Sequence, residues 1–173
     1  RVEMWQYSDA GLSLLTTFNN GGESEGCVYD DENRRLFISE EETNGVLKAY
    51  SIDQALDFSN FTIVDSRQGN IVGDPECVAI YKTNDRDGFI VLSSQGGAMF
   101  NLYVRAPPSQ YVGSFSVKAG LGKSGRPVDG TTTTDGIEVI NLDFNSHFPK
   151  GLMVIQDDVN TVDKESKIKR QNF

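Results

Sequence analysis

The chain has 173 residues, 38% of them hydrophobic and 10% aromatic, which is enough for one ordinary domain with a real core. Its 25 acids against 16 bases give a net charge of −9, which argues against nucleic acid or an anionic membrane as partner, since both require clustered Lys and Arg. Two cysteines and one histidine are too few for a disulfide scaffold, a zinc site or an ordinary His-based catalytic constellation, and no apolar run approaches a membrane span.

In chain order, short runs rich in Val, Ile, Phe and Tyr alternate with Gly, Asn, Asp and Ser clusters. They predict strands at Val2–Tyr7, Ser13–Phe18, Cys27–Tyr29, Leu36–Ser39, Val46–Ser51, Thr62–Asp65, Cys77–Tyr81, Phe89–Ser93, Met99–Val104, Val112–Val117, Ile137–Ile140 and Leu152–Ile155. No stretch carries a convincing helical period, so the fold class is all-β.

The runs repeat. Glu25-Gly-Cys27-Val recurs as Glu76-Cys77-Val and more loosely as Asp135-Gly-Ile137. Each is followed by a turn and a second strand with a polar end: Leu36 to Glu41, Phe89 to Gln95, Leu152 to Asp157. A repeat of roughly fifty to sixty residues holding four strands is the sequence form of a propeller blade. The expected architecture is therefore a β-propeller of four-stranded antiparallel blades. Residues 1–18 are its outer strands of one blade, 25–66 and 74–118 two further blades, and 135–157 the inner strands of the next. Propellers usually close with four or more blades, so about three blades with ragged ends suggest a fragment.

In such a blade the residue before the first strand and the residue ending the second lie on one face, near the central axis. This groups Glu25 with Glu40 and Glu41, Asp74 and Glu76 with Gln95, and Asp129 and Asp135 with Asp157. Crowded carboxylates are costly unless cations neutralise them or they protonate. Oxygen donors without His or thiolate select hard cations, calcium first and then magnesium or manganese. Acids at blade mouths also occur in propellers that bind nothing. Asp30-Asp31-Glu32-Asn33 and Asp85-Arg86-Asp87-Gly88 fall at the opposite face and read as hairpin turns, and 163–170 as a solvated mixed-charge loop.

Glu25-Gly-Cys-Val-Tyr-Asp-Asp-Glu32, Arg35-Leu-Phe-Ile-Ser-Glu-Glu41, Asp74-Pro-Glu76, Ser93-Ser-Gln95-Gly, Asp129-Gly130, Thr134-Asp135-Gly-Ile137, Gln156-Asp157 and Gln171-Asn-Phe173 occur in the order found in β-propeller phytases. From Val2 to Phe173 the chain resembles the C-terminal half of that family's six-bladed propeller. The resemblance implies calcium-dependent hydrolysis of phytate, or other inositol phosphates, by attack of a calcium-bridged water on phosphorus without a phosphoenzyme. It implies active-site calcium ligands at Glu25, Glu41, Asp74, Glu76, Gln95 and Asp135, with Glu25, Glu41 and Asp135 closest to the chemistry. A further calcium site, tied more to stability, would use Asp129, Asp157 and Asn160. It further implies a secreted protein that is a monomer when complete, its signal segment outside this chain.

The chain departs from the family in places. The bases that hold substrate phosphates lie mostly in the family's N-terminal half and have no counterparts here, so the isolated segment is expected to be poorly active. Cys77 stands where Gly is common, Thr133 where Asp is frequent, and Val159 where an acid is often found. Cys27 and Cys77 follow equivalent glutamates on neighbouring inner strands, so an inter-blade disulfide is expected, the alternative being two buried free thiols. Other readings of the whole are a non-catalytic calcium-binding propeller used for adhesion or scaffolding, and a calcium-dependent lactonase on a similar propeller.

Overall fold

A computed structural model describes residues 1–42, 44–53, 55–159 and 161. It is all-β apart from one 3-10 turn at Gln95–Gly97. β1 (Val2–Ser8) and β2 (Gly11–Phe18) form an antiparallel pair. β3 (Ser24–Asp30), β4 (Arg35–Glu40), β5 (Val46–Ser51) and β6 (Phe61–Ser66) form a four-stranded antiparallel meander in sequence order. β7 (Pro75–Lys82), β8 (Gly88–Ser94), β9 (Met99–Val104) and β10 (Tyr111–Phe115) form a second meander of the same design. A short hairpin of β11 (Gly120–Leu121) and β12 (Pro127–Val128) follows, and β13 (Ile137–Ile140) pairs with β14 (Leu152–Ile155). These four-stranded sheets are propeller blades, and the first strands β3, β7 and β13 pack side by side.

The central strands are apolar at nearly every position because both faces of each blade are covered. On β4 and β5, Phe37, Leu47 and Ala49 face Val78, Ile90 and Leu92 of the second blade, around the buried ring of Tyr103. The alternate residues Leu36, Ile38 and Tyr50 face the other way, against Val2, Met4 and Phe18 of the β1–β2 pair. The second blade repeats the arrangement: Ala79, Val91 and Phe100 pack on Ile137 and Val139. Period-2 alternation thus divides each strand between two interfaces instead of between core and water.

Polar bonds mark the same junctions. The Ser39 hydroxyl donates to the Glu76 carbonyl, and the equivalent Ser93 hydroxyl donates to the Thr134 carbonyl at 2.6 Å. At the far end of β3, the turn expected at Asp30–Asn33 is present, but it does more than reverse the chain. Asp30 is fully buried, takes both Nε and Nη2 of Arg105, and accepts from the Asn33 backbone at 3.1 Å. Glu32 adds a second carboxylate to Arg105 and, with Asp31, accepts from Lys82.

The inter-blade disulfide is not formed. Cys27 and Cys77 are free thiols, Cys27 exposed and Cys77 half-buried, so the alternative of two buried thiols holds only in part. The Cys77 thiol donates to the Ile137 carbonyl of the next blade at 3.3 Å, and the Cys27 thiol is pushed up by burial and then by the nearby Cys77. The predicted mixed-charge loop at 163–170 lies outside the described residues.

Candidate metal centre

Strand register delivers the acids to one place. Ser24 pairs with Glu40, Pro75 with Ser94, and Ile137 with Ile155, so the start of each first strand lies beside the end of its second. Packing of β3 on β7 and of β7 on β13 then brings these ends together. The backbones close tightly there. A Cβ on Gly26 would sit 2.7 Å from the Cα of Cys77, and one on Gly73, at φ +78°, would sit 2.5 Å from the Cα of Gly96. Those two glycines let Glu25 approach Glu76, and Asp74 approach Gln95, whose backbone N–H donates to the Asp74 carbonyl at 2.9 Å.

Carboxylate oxygens of Glu23, Glu25 and Glu41 lie within 4.8 Å of one another. Glu76 is buried beside this group. Burial, then the charges of Glu25, Asp135, Glu41 and Asp74, push its carboxyl up to about 7. Loss of hydration, with Asp74, Glu25 and Glu23 close by, raises Glu41 as well, while Arg67 acts in the opposite direction. Gln95 Nε2 donates to Asp135 Oδ1 at 2.6 Å, and the Asp135 N–H is held by Gln156 Oε1 at 2.7 Å. Six of the predicted residues, Glu25, Glu41, Asp74, Glu76, Gln95 and Asp135, therefore belong to one electrostatically coupled rim.

Glu40 does not join them. Neighbours on a strand point to opposite sides, and Glu40 turns to Lys48, which also donates to the Asn20 carbonyl. Asp157 is buried and accepts from the Thr132 N–H at 2.9 Å and its hydroxyl at 3.2 Å, and Asp129 accepts from the Thr161 hydroxyl at 3.1 Å. Both acids thus tie the 129–134 loop to the segment after β14. Asn160 lies outside the described residues. His147 sits in an exposed turn beside Lys123, remote in role from the rim.

Two rim residues escape the repeat argument. Glu23 precedes β3 by one position, and its two-residue spacing from Glu25 was a usable sign that both face the same way. Arg67 follows β6, donates to Asp74 Oδ1 and to the Gly73 carbonyl, and has no counterpart in the repeat because the linkers after β6 and β10 differ in length.

The donor chemistry suits a hard divalent cation. The rim offers carboxylate and amide oxygens only, and the upward displacement of Glu41 and Glu76 is the electrostatic strain a cation would relieve. Glu23, Glu25 and Glu41 are the set best placed to hold one, with Asp74, Glu76, Gln95 and Asp135 adjoining.

Blades of this design with oxygen donors gathered where their first strands begin define a propeller protein with an acidic, metal-competent rim. The chain belongs to the phytase family, whose model matches residues 13–173. It is similar to the 3-phytase of Bacillus subtilis (strain 168), with 29% identity over 177 residues, an alignment covering 99% of this chain and 44% of that protein. The chain therefore spans less than half the length of that relative.

Proposed function

We propose that the protein carrying this chain is a calcium-dependent phosphomonoester hydrolase acting on phytate or related inositol phosphates. The observation that carries this reading is the gathering of Glu23, Glu25 and Glu41 within 4.8 Å in a member of the phytase family. That membership also sets it ahead of the lactonase and the non-catalytic readings.

Calcium bound at such a rim supplies charge neutralisation to phosphoryl oxygens and lowers the pKa of an attacking water. The chain's own residues prepare for it. Glu23, Glu25 and Glu41 provide one carboxylate set, and Asp74, Glu76 and Asp135 extend it. The Gln95 amide, by donating to Asp135, fixes that carboxylate's orientation and keeps its own carbonyl as a further donor. The proposed route is direct attack of water on phosphorus without a phosphoenzyme, which requires no Ser–His or Cys–His pair. Asp129, Asp157 and Asn160 form the proposed second calcium site, one that braces the last loops.

The chain is read as about three blades of a six-bladed propeller, with bounds at 1–18, 25–66, 74–118 and 135–157. The complete protein is proposed to be an extracellular monomer, where millimolar calcium suits a site of this openness. No helix among the described residues is long and apolar enough to cross a membrane.

Phosphate release from phytate, measured with calcium present and after chelation, tests the reading. Activity is expected to vanish on chelation and return with calcium. Activity that persists unchanged in a cation-free sample would refute it.

A further inference from the structure

The acidic rim contains its own cation. Arg67 is held from several sides: its backbone N–H donates to the carbonyls of Asn44 and Gly45 at 3.1 and 3.0 Å, and its Nε donates to the Gly73 carbonyl at 2.8 Å. Its Nη2 lies on Asp74 Oδ1, forming an ion pair. The loop before β5 closes over it, since a Cβ on Gly45, already at φ +47°, would meet Arg67 Nε at 2.6 Å. The side chain keeps 27% of its surface exposed, and the Asp74 side chain keeps 37%. The guanidinium therefore stands against Asp74, one acid of the proposed metal centre, fixed at the backbone and partly open to solvent.

We infer that Arg67 is a tethered counter-cation that competes with the divalent ion for Asp74 and, once the ion holds that carboxylate, turns its fork to an oxyanion of the phosphate-bearing substrate. This rests on the reading of the rim as a cation-assisted phosphatase site and adds a substrate-positioning residue to it. Two opposed effects follow from one charge. A positive group beside Asp74 raises the local potential and so weakens calcium, while the same group attracts phosphate and can bind two of its oxygens in parallel. Arginine suits this exchange, because its planar fork matches carboxylate and phosphate geometry alike and stays charged throughout.

The test compares Arg67→Gln and Arg67→Lys with the unsubstituted protein, each made as the complete protein that carries this chain. Calcium affinity is measured by calorimetric titration of chelator-stripped protein, and phytate KM and kcat at saturating calcium. Arg67→Gln should bind calcium about two- to fivefold more tightly, the scale of a half-exposed ion pair. Its phytate KM should rise about tenfold, the scale of a charge-assisted hydrogen bond, with a smaller change in kcat. Arg67→Lys, which keeps the charge but loses the fork, should leave calcium affinity near the original and raise KM by an intermediate amount. A merely structural arginine would weaken calcium and phytate together and lower the melting temperature, and that pattern overturns the inference, as does unchanged calcium affinity in Arg67→Gln. Failure of the unsubstituted protein to bind calcium would instead sink the reading of the rim itself.

Discussion

The carboxylate of Asp30 and the guanidinium of Arg105 meet with no exposed surface on either side chain, Oδ2 to Nε at 2.8 Å, and join the β3–β4 turn of one blade to the end of β9 in the next. A charge pair removed from water so fully is costly to form and costlier to break. Asp30→Ala leaves Arg105 buried with only Glu32 and backbone carbonyls for company. We expect a loss of about 3–5 kcal/mol in urea unfolding. A loss below about 1 kcal/mol would mean the pair is hydrated in solution.

Glu40 and Glu41 are neighbours with different duties, and substitution separates them. Glu41→Gln is expected to weaken calcium about tenfold, since it removes one formal charge from the donor set. Glu40→Gln should leave calcium affinity within about twofold but cost about 1–3 kcal/mol of stability, because Lys48, 8% exposed, loses its carboxylate. Calcium titration and thermal melts of both variants check this, and equal calcium losses would contradict the geometry.

Calcium that binds only the folded chain must raise its melting midpoint. At about a hundred times the dissociation constant the gain is about 2.7 kcal/mol. Scanning calorimetry with and without a chelator measures it, and identical midpoints at millimolar calcium would count against the metal centre.

Proton linkage acts in two opposite directions in the cation-free protein. Glu76 is raised from 4.5 to about 7, so the folded chain binds its proton more tightly than the unfolded chain, and stability grows as pH falls across that window. For Asp30, burial acts upward, but the hydrogen bonds from Arg105 and Asn33 outweigh it and hold the carboxyl below its ordinary 3.8. Its contribution is present above that value and lost as pH falls below it. Chelated protein should therefore be most stable in mildly acid solution, near the lower edge of the Glu76 window, and calcium should flatten the arm toward pH 8. Urea midpoints across pH decide this, and a maximum at pH 8 without cations would be the contrary result.

Thiol titration under denaturing conditions without reductant should count two thiols, matching the free Cys27 and Cys77. A count of zero would restore the bond between blades.

Strand positions and the rim were readable in the sequence because both follow from repetition. Apolar runs set off by Gly, Asn, Asp and Ser clusters located nearly every strand, and the recurrence of Glu25 at Glu76 and Asp135 put those acids in equivalent places. Local pattern carried no trace of what depends on distant partners. Arg105 lies 75 residues from Asp30, and nothing near either one announces the other. Glu40 was grouped with Glu41 because blade geometry fixes the end of a strand but not which way its last side chains turn. The β11–β12 hairpin was missed because two-residue strands are too short to stand out as apolar runs. Arg67 sits in a linker, where the repeat gives no guidance.

The division of each central strand between two apolar interfaces has one more consequence. In Leu36-Phe37-Ile38 a slip of one residue would exchange one buried hydrophobe for another, so oil alone gives little guidance on alignment. Alignment must come from groups that tolerate no such exchange: the Ser39 and Ser93 hydroxyls on their neighbours' carbonyls, and Asp30 on Arg105. A serine changed to alanine there removes little volume, yet it loosens the sliding coordinate along which Glu41 and Gln95 are aimed.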